Sequence, residues 1–240
     1  MSARRSGLAD RLRITPGALA IAGLEVALSL VWLMSPVGTR AQITQYVVAT
    51  PTNVIEHGRV WTLATSPFLD INFISLLLNV FMLWMLIPTL ERFWGTARFY
   101  RFFAITSLAG TVVGTAAAFA LQREEAIAGL SPFMFASLIA FGVIYARQPV
   151  QLVGVLPLTG RQLMWAFVIL DAVLVLSQQA WAMGAAHAAA MLAAAVITSK
   201  RWSPGLAWRR WRIARARAKL SVIEGGKKPT RPRDEQKWLN

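Results

Sequence analysis

Ser131 and His187 are the two side chains in this chain best suited to work together chemically. Ser131 stands in Gly129-Leu130-Ser131-Pro132 at the head of one apolar block, and His187, one of only two histidines, stands inside another. A serine hydroxyl is a poor nucleophile at its own pKa and needs a base within hydrogen-bond reach. The sequence offers a way to bring one there. His187 is flanked by Gly184-Ala185-Ala186 and Ala188-Ala189-Ala190, with Ala193, Ala194 and Ala195 beyond. A run of small residues lets two helices approach almost backbone to backbone. The segment around Ser131 supplies Gly129, Ala136, Ser137 and Ala140 as a facing surface.

Other polar groups inside apolar blocks are few: Ser75 and Asn79 in one, Asp171 in another. Polar side chains at membrane depth are costly and are functional suspects by default. Each also has a plainer reading. Ser-Pro at a helix start is a common cap pairing, with the hydroxyl satisfying an orphan N–H. His187 could bond a neighbouring helix for structural reasons, and Asn79 could hold two helices together. Ser75 could bond back to its own helix. Asp171 could face a wet cavity, cap a helix break or orient a partner. His57, the second histidine, is expected to be solvated.

The elements that must position these residues follow from composition. The chain has 240 residues, 56% of them hydrophobic and 15% charged, with a mean hydropathy of +0.50. A soluble domain of this size needs more polar surface. The apolar residues fall in blocks of about 17–22, the length that crosses a hydrocarbon core as helix. Six are expected: Pro16–Met34, Phe73–Leu90, Phe102–Leu121, Pro132–Ala146, Leu163–Ser177 and Ala180–Thr198. Arg4, Arg5, Arg11 and Arg13 precede the first, which is long for a signal peptide and is read as a retained helix.

The net charge of +14 resembles a nucleic-acid signature, but its distribution argues against such a partner. Thirteen of the 25 Lys and Arg residues lie from Lys200 onward, and most others flank the blocks. Alternate loops receive twenty-two cations on one side and only Arg40, Arg59 and Arg123 on the other. Both termini are therefore expected in the cytoplasm, which requires an even number of spans. The domain reading is a basic cytoplasmic segment over 1–15, a membrane domain over 16–198 and a basic cytoplasmic tail over 199–240. Within the membrane domain, residues 35–72 form a long outer loop of short amphipathic pieces. The tail interleaves Trp202, Trp208 and Trp211 with arginines, as a helix on an anionic leaflet would. There is no cysteine, so thiolate chemistry is not available.

Several stretches together resemble the rhomboid family. Trp61-Thr62-Leu63 through Pro67-Phe68-Leu69 resembles its outer loop. Leu77-Leu78-Asn79, then Leu90-Glu91-Arg92-Phe93-Trp94-Gly95, resembles its second helix. Gly129-Leu130-Ser131 is similar to the Gly-x-Ser-Gly motif, and Ala186-His187 to the Ala-His of its last helix. Gly154-Val155-Leu156-Pro157-Leu158 resembles the loop before the fifth helix. The likeness covers roughly residues 10–200. It implies an all-α, six-transmembrane-helix bundle in which Ser131 is the nucleophile and His187 the general base, with no acidic third member needed. Oxyanion donors would be Asn79, the backbone N–H of Ser131 and that of Leu130, with Ser75 as a further candidate. Gly129, Pro132 and Ala186 would support the motif. Three positions depart from the pattern: Ser75 stands where the family has histidine, Pro132 where it has glycine, and Thr62 where it has arginine.

The expected activity is hydrolysis of a peptide bond in a client's transmembrane helix near the outer membrane face, with transmembrane proteins as partners. No cofactor, metal or nucleic acid is expected. Short loops point to a bacterial plasma membrane. Two other functions stay open: a catalytically inactive rhomboid-like protein that binds membrane clients, and solute or proton transport through Asp171.

Overall fold

The computed structural model describes residues 14–152 and 156–199, together with Arg212, Ile213 and Arg215. Two compact units divide at Arg201 and Trp202. The first is helical. Helix α1 (Pro16–Met34) leads to α2 (Val37–Val47), a π-helical turn (Thr52–Glu56), the short α3 (Thr62–Thr65) and a 3-10 turn (Ser66–Phe68). Then come α4 (Phe73–Trp94), α5 (Thr96–Ala120), α6 (Ser131–Ile144), strands β1 (Pro149–Leu152) and β2 (Leu156–Thr159), α7 (Gly160–Gln178) and α8 (Trp181–Thr198). In the second unit, Arg212, Ile213 and Arg215 are helical. Residues 1–13 of the expected basic segment (1–15), the tail tryptophans and Gly154-Val155 lie outside the described residues.

Among the described residues five helices, α1, α4, α5, α7 and α8, are long and apolar enough to cross a membrane. The protein is therefore an all-α integral membrane protein in architecture, apart from one antiparallel hairpin in which Pro149 pairs with Thr159 and Leu152 with Leu156. That hairpin was not expected from the sequence. Helix α6 is apolar but has only 14 residues. It is the core of the bundle, with Phe133, Ala136, Leu138 and Ala140 all but completely buried.

The helices are joined by close packing rather than by long loops. Gly110 and Gly114 on α5 meet Ala186 and Ala190 on α8. A Cβ on Gly114 would lie 2.7 Å from the Ala186 Cβ, and one on Gly110 would lie 2.8 Å from the Pro132 Cβ. The small-residue run of α8 thus serves two neighbours, α5 as well as α6. The sequence reading had considered only the second. Gly95, with φ of +79°, ends α4 and lets α5 begin at once. The Glu91 carboxylate then binds the start of α1: it accepts from the Gly17 N–H at 3.0 Å, the Ala18 N–H at 2.9 Å and the Thr15 hydroxyl. Thr96 on α5 donates to it at 2.8 Å. One buried carboxylate therefore ties three helix ends together and satisfies N–H groups that α1 would otherwise leave orphaned.

The segment 35–72 is built from short helices, as expected of the outer loop, but none of α2 is buried. Its later part braces the approach to α6. Ser66 Oγ donates to the Ile127 carbonyl and accepts from the Ala49 N–H. The Gly129 N–H donates to the Ser66 carbonyl at 3.1 Å, and the Ile127 N–H to the Ala49 carbonyl at 2.9 Å.

Candidate active site

Ser131 opens α6 directly after Gly129 and Leu130. Gly129 has φ of +82°, a left-handed conformation that favours glycine, and a Cβ there would come within 3.0 Å of Asp70 Oδ2. Pro132 follows as the second helical residue, where its missing N–H costs nothing. The Ser131 hydroxyl faces α8. Its oxygen lies 3.1 Å from His187 Nε2 and 4.0 Å from Met183 Sδ.

His187 is buried in α8, and its other ring nitrogen lies 2.7 Å from Asp171 Oδ1 on α7. Both side chains of that pair are 8% exposed. Helices α7 and α8 are neighbours because Gln179, in the left-handed region at φ 53°, reverses the chain between them. Gly184 allows the close approach, since a Cβ there would meet Val175 Cγ1 at 2.6 Å. Phe135, one turn along α6 from Ser131, sets its ring 4.6 Å from the imidazole. The proton arrangement follows from the partners. A carboxylate can only accept, so Nδ1–H donates to Asp171, and the lone pair of Nε2 is left to accept from the Ser131 O–H. Asp171 thus takes the partner-orienting option among those open to it. The sequence leads to a Ser131–His187 dyad, and the structure adds a carboxylate at the second imidazole nitrogen.

Asn79 and Ser75 lie one turn apart on α4 and turn to a second cluster. Ser75 Oγ donates to Asp70 Oδ2 at 2.9 Å, and Asn79 Nδ2 donates to the same oxygen at 2.8 Å. Asn79 Nδ2 also lies 3.3 Å from Glu25 Oε1 on α1. Burial pushes the Asp70 carboxyl above its ordinary range, against the opposing pull of its bonds from Ser75, Asn72 and Asn79. Sequence reasoning missed Glu25 and Asp70. The signal for Glu25 was present, an acidic residue within the first apolar block. His57 is exposed, with Nδ1 3.0 Å from the Thr52 carbonyl, away from all of these groups.

Ser75, Asn79, Ser131, Asp171 and His187 line one cavity of about 650 Å³, whose walls are otherwise mainly apolar, among them Leu78, Phe81, Met134, Leu138, Phe167 and Leu174. Helices α4 and α7 flank it, each packing on α6 rather than substantially on one another. The site therefore unites a serine, an oriented imidazole and an amide at a hydrophobic chamber. Among the described residues no group of three or more His, Asp or Glu side chains is placed to hold a metal ion.

Residues 20–202 match the family described as “Eukaryotic integral membrane protein (DUF1751)”. No curated protein matches the chain. Because the family is described as eukaryotic, it lends no support to the bacterial plasma membrane expected from the short loops.

Proposed function

We propose that this chain, which belongs to the integral membrane family DUF1751, is a rhomboid-type serine endopeptidase that cuts transmembrane helices. The observation that carries the reading is the relay Ser131–His187–Asp171, with contacts of 3.1 and 2.7 Å, at the wall of an apolar cavity. In this mechanism Ser131 Oγ attacks the scissile carbonyl while its proton passes to His187 Nε2. Asp171 holds the imidazole in its tautomer and stabilises the imidazolium. His187 then returns the proton to the departing amine, breaking the C–N bond and leaving an acyl-enzyme. Water, deprotonated by His187, releases the acyl group. The Ser131 N–H lies in the first turn of α6, where N–H groups lack intrahelical acceptors, and in this mechanism serves as a donor to the tetrahedral oxyanion.

The short α6 supports a site below the membrane surface. Fourteen residues of helix span about 21 Å against a core of about 30 Å. Ser131 would then begin its helix inside the bilayer, where irregular backbone is tolerated only if buried in protein. Segment 127–130 meets that condition through its bonds to Ala49 and Ser66. In this reading α6 is the sixth span, both termini are cytoplasmic and Ser131 lies near the outer face.

A second reading has its own support. The family is one of rhomboid-like pseudoproteases, and the Asn79 amide is held by carboxylates rather than left free. On that reading the cavity binds a client helix without cutting it. Co-reconstitution in liposomes with single-span substrates separates the two. Cleavage by the wild type that is lost in Ser131→Ala and His187→Ala supports the endopeptidase. Client association without cleavage, equal in all three proteins, supports the pseudoprotease.

A further inference from the structure

We infer that Glu25 and Asp70 form a coupled carboxyl pair that holds a single proton, positions Asn79 and decides when its amide is free to serve the oxyanion. The inference deepens the endopeptidase reading and rests on it for its consequence, though the proton can be detected without any activity.

Glu25 is 0% exposed in α1 and Asp70 is 4% exposed in the turn before α4. The two are bridged by a single nitrogen, Asn79 Nδ2, 2.8 Å from one and 3.3 Å from the other. Asp70 Oδ1 accepts from the Asn72 N–H at 3.2 Å, and its N–H donates to Ser29 Oγ on α1. Asp70 is the titratable group that faces Glu25, and among the described residues no Lys, Arg or His forms an ion pair with either carboxyl. Glu25 Oε2 is buried with no hydrogen-bond partner. Two buried carboxylates bridged by one amide and without a counter-ion repel one another, and a single proton on one of them removes most of that cost. The orphan oxygen is a position at which that proton can reside.

The consequence concerns Asn79. An amide nitrogen has two hydrogens, and in this structure both have carboxyl acceptors. The orientation of the amide is fixed, since turning it over would set its oxygen against two others. When the pair holds a proton, Glu25 offers only a weak acceptor at the longer contact, and that hydrogen can turn to an oxyanion at Ser131. When the pair loses the proton, a charged Glu25 grips the amide more tightly and places a second negative charge beside the developing one. Glu25 is thus a positioning residue acting through Asn79.

Attack needs the protonated pair, so reactivity falls with rising pH as that proton leaves. The test uses the full-length protein in detergent or lipid. Infrared spectra of the wild type show the C=O stretch of a protonated carboxylic acid that disappears on alkalinisation and is missing from Glu25→Gln. In parallel, the rate of fluorophosphonate labelling of the wild type falls by about 10²-fold on the alkaline side, the worth of one oxyanion donor. Glu25→Gln, which is permanently neutral, loses this alkaline fall. Asp70→Asn, which removes the neighbouring charge, moves the alkaline limb and the infrared transition to lower pH. This last variant decides the matter if Glu25→Gln does not fold. Absence of the acid band, or an alkaline limb unchanged in Glu25→Gln, overturns the inference. Absence of labelling at every pH overturns the endopeptidase reading instead, and the infrared band alone then decides the carboxyl pair.

Discussion

At the scale of single residues, the account turns on what Asp171 does for His187. A histidine in a membrane helix is useful as a base only if the nitrogen facing the serine carries no proton. The 2.7 Å contact from Nδ1 to Asp171 fixes that tautomer. Asp171→Asn preserves the shape and offers the wrong hydrogen-bonding face, so turnover is expected to fall by about 10⁴-fold with little change in KM. A fall of less than about tenfold would show that Phe135 and the helix packing hold the ring without it. Removing Ser131 or His187 should lower cleavage to a common floor, in single and double variants alike, because the pair acts as a unit. The approach of these two residues was legible from their small-residue surroundings. The partners of Asp171 and Glu25 were not. In helices apolar on every side, nothing in the sequence marks which face turns inward, so an acidic residue shows that a partner must exist without showing which.

At the scale of elements, two devices hold the site in place. The first is the Gly110–Gly114 face of α5 against Ala186 and Ala190, which sets the depth of α8 and hence of His187. Gly114→Val should destabilise the detergent-solubilised protein by about 1–3 kcal/mol, the usual cost of overpacking. It should also weaken the Ser131–His187 contact by pushing α8 outward. Thermal unfolding followed by circular dichroism measures the first effect, and an unchanged midpoint would contradict the packing account. The second device is Glu91, which caps α1 and reaches Thr96 on α5. Glu91→Ala leaves those N–H groups buried without an acceptor and should cost on the order of 2 kcal/mol in the same assay. A neutral result would show that water replaces the carboxylate there. The helices themselves were readable because length and hydropathy are properties of composition, and α1 runs over the very residues expected, Pro16–Met34. The ends of α4 and α5 were not readable, because polar residues such as Arg92 and Arg98 continue the helices beyond their apolar blocks. The β1–β2 hairpin was hidden as well. Each strand contains a proline, a residue that argues against strand except at an edge, and in a two-stranded ribbon every strand is an edge.

For the whole molecule, the orientation of the bundle in the membrane decides which side its serine serves. The chain has no cysteine, so single substitutions report topology without background. Cysteines at His57 and Glu124 should react with a membrane-impermeant maleimide from outside intact cells, and those at Arg98 and Gln148 only after permeabilisation. The reverse pattern would invert the bundle, and a mixed one would show that α6 does not count as a span. Activation of Ser131 is read out by fluorophosphonate labelling of the purified protein, with the adduct located by mass spectrometry. The expected result is an adduct on Ser131 in the wild type, none in Ser131→Ala, and a loss of labelling in His187→Ala. A wild type that stays unlabelled while an active rhomboid protease labels under the same conditions would contradict it, and would leave the Ser131–His187–Asp171 relay as a purely structural link between three helices.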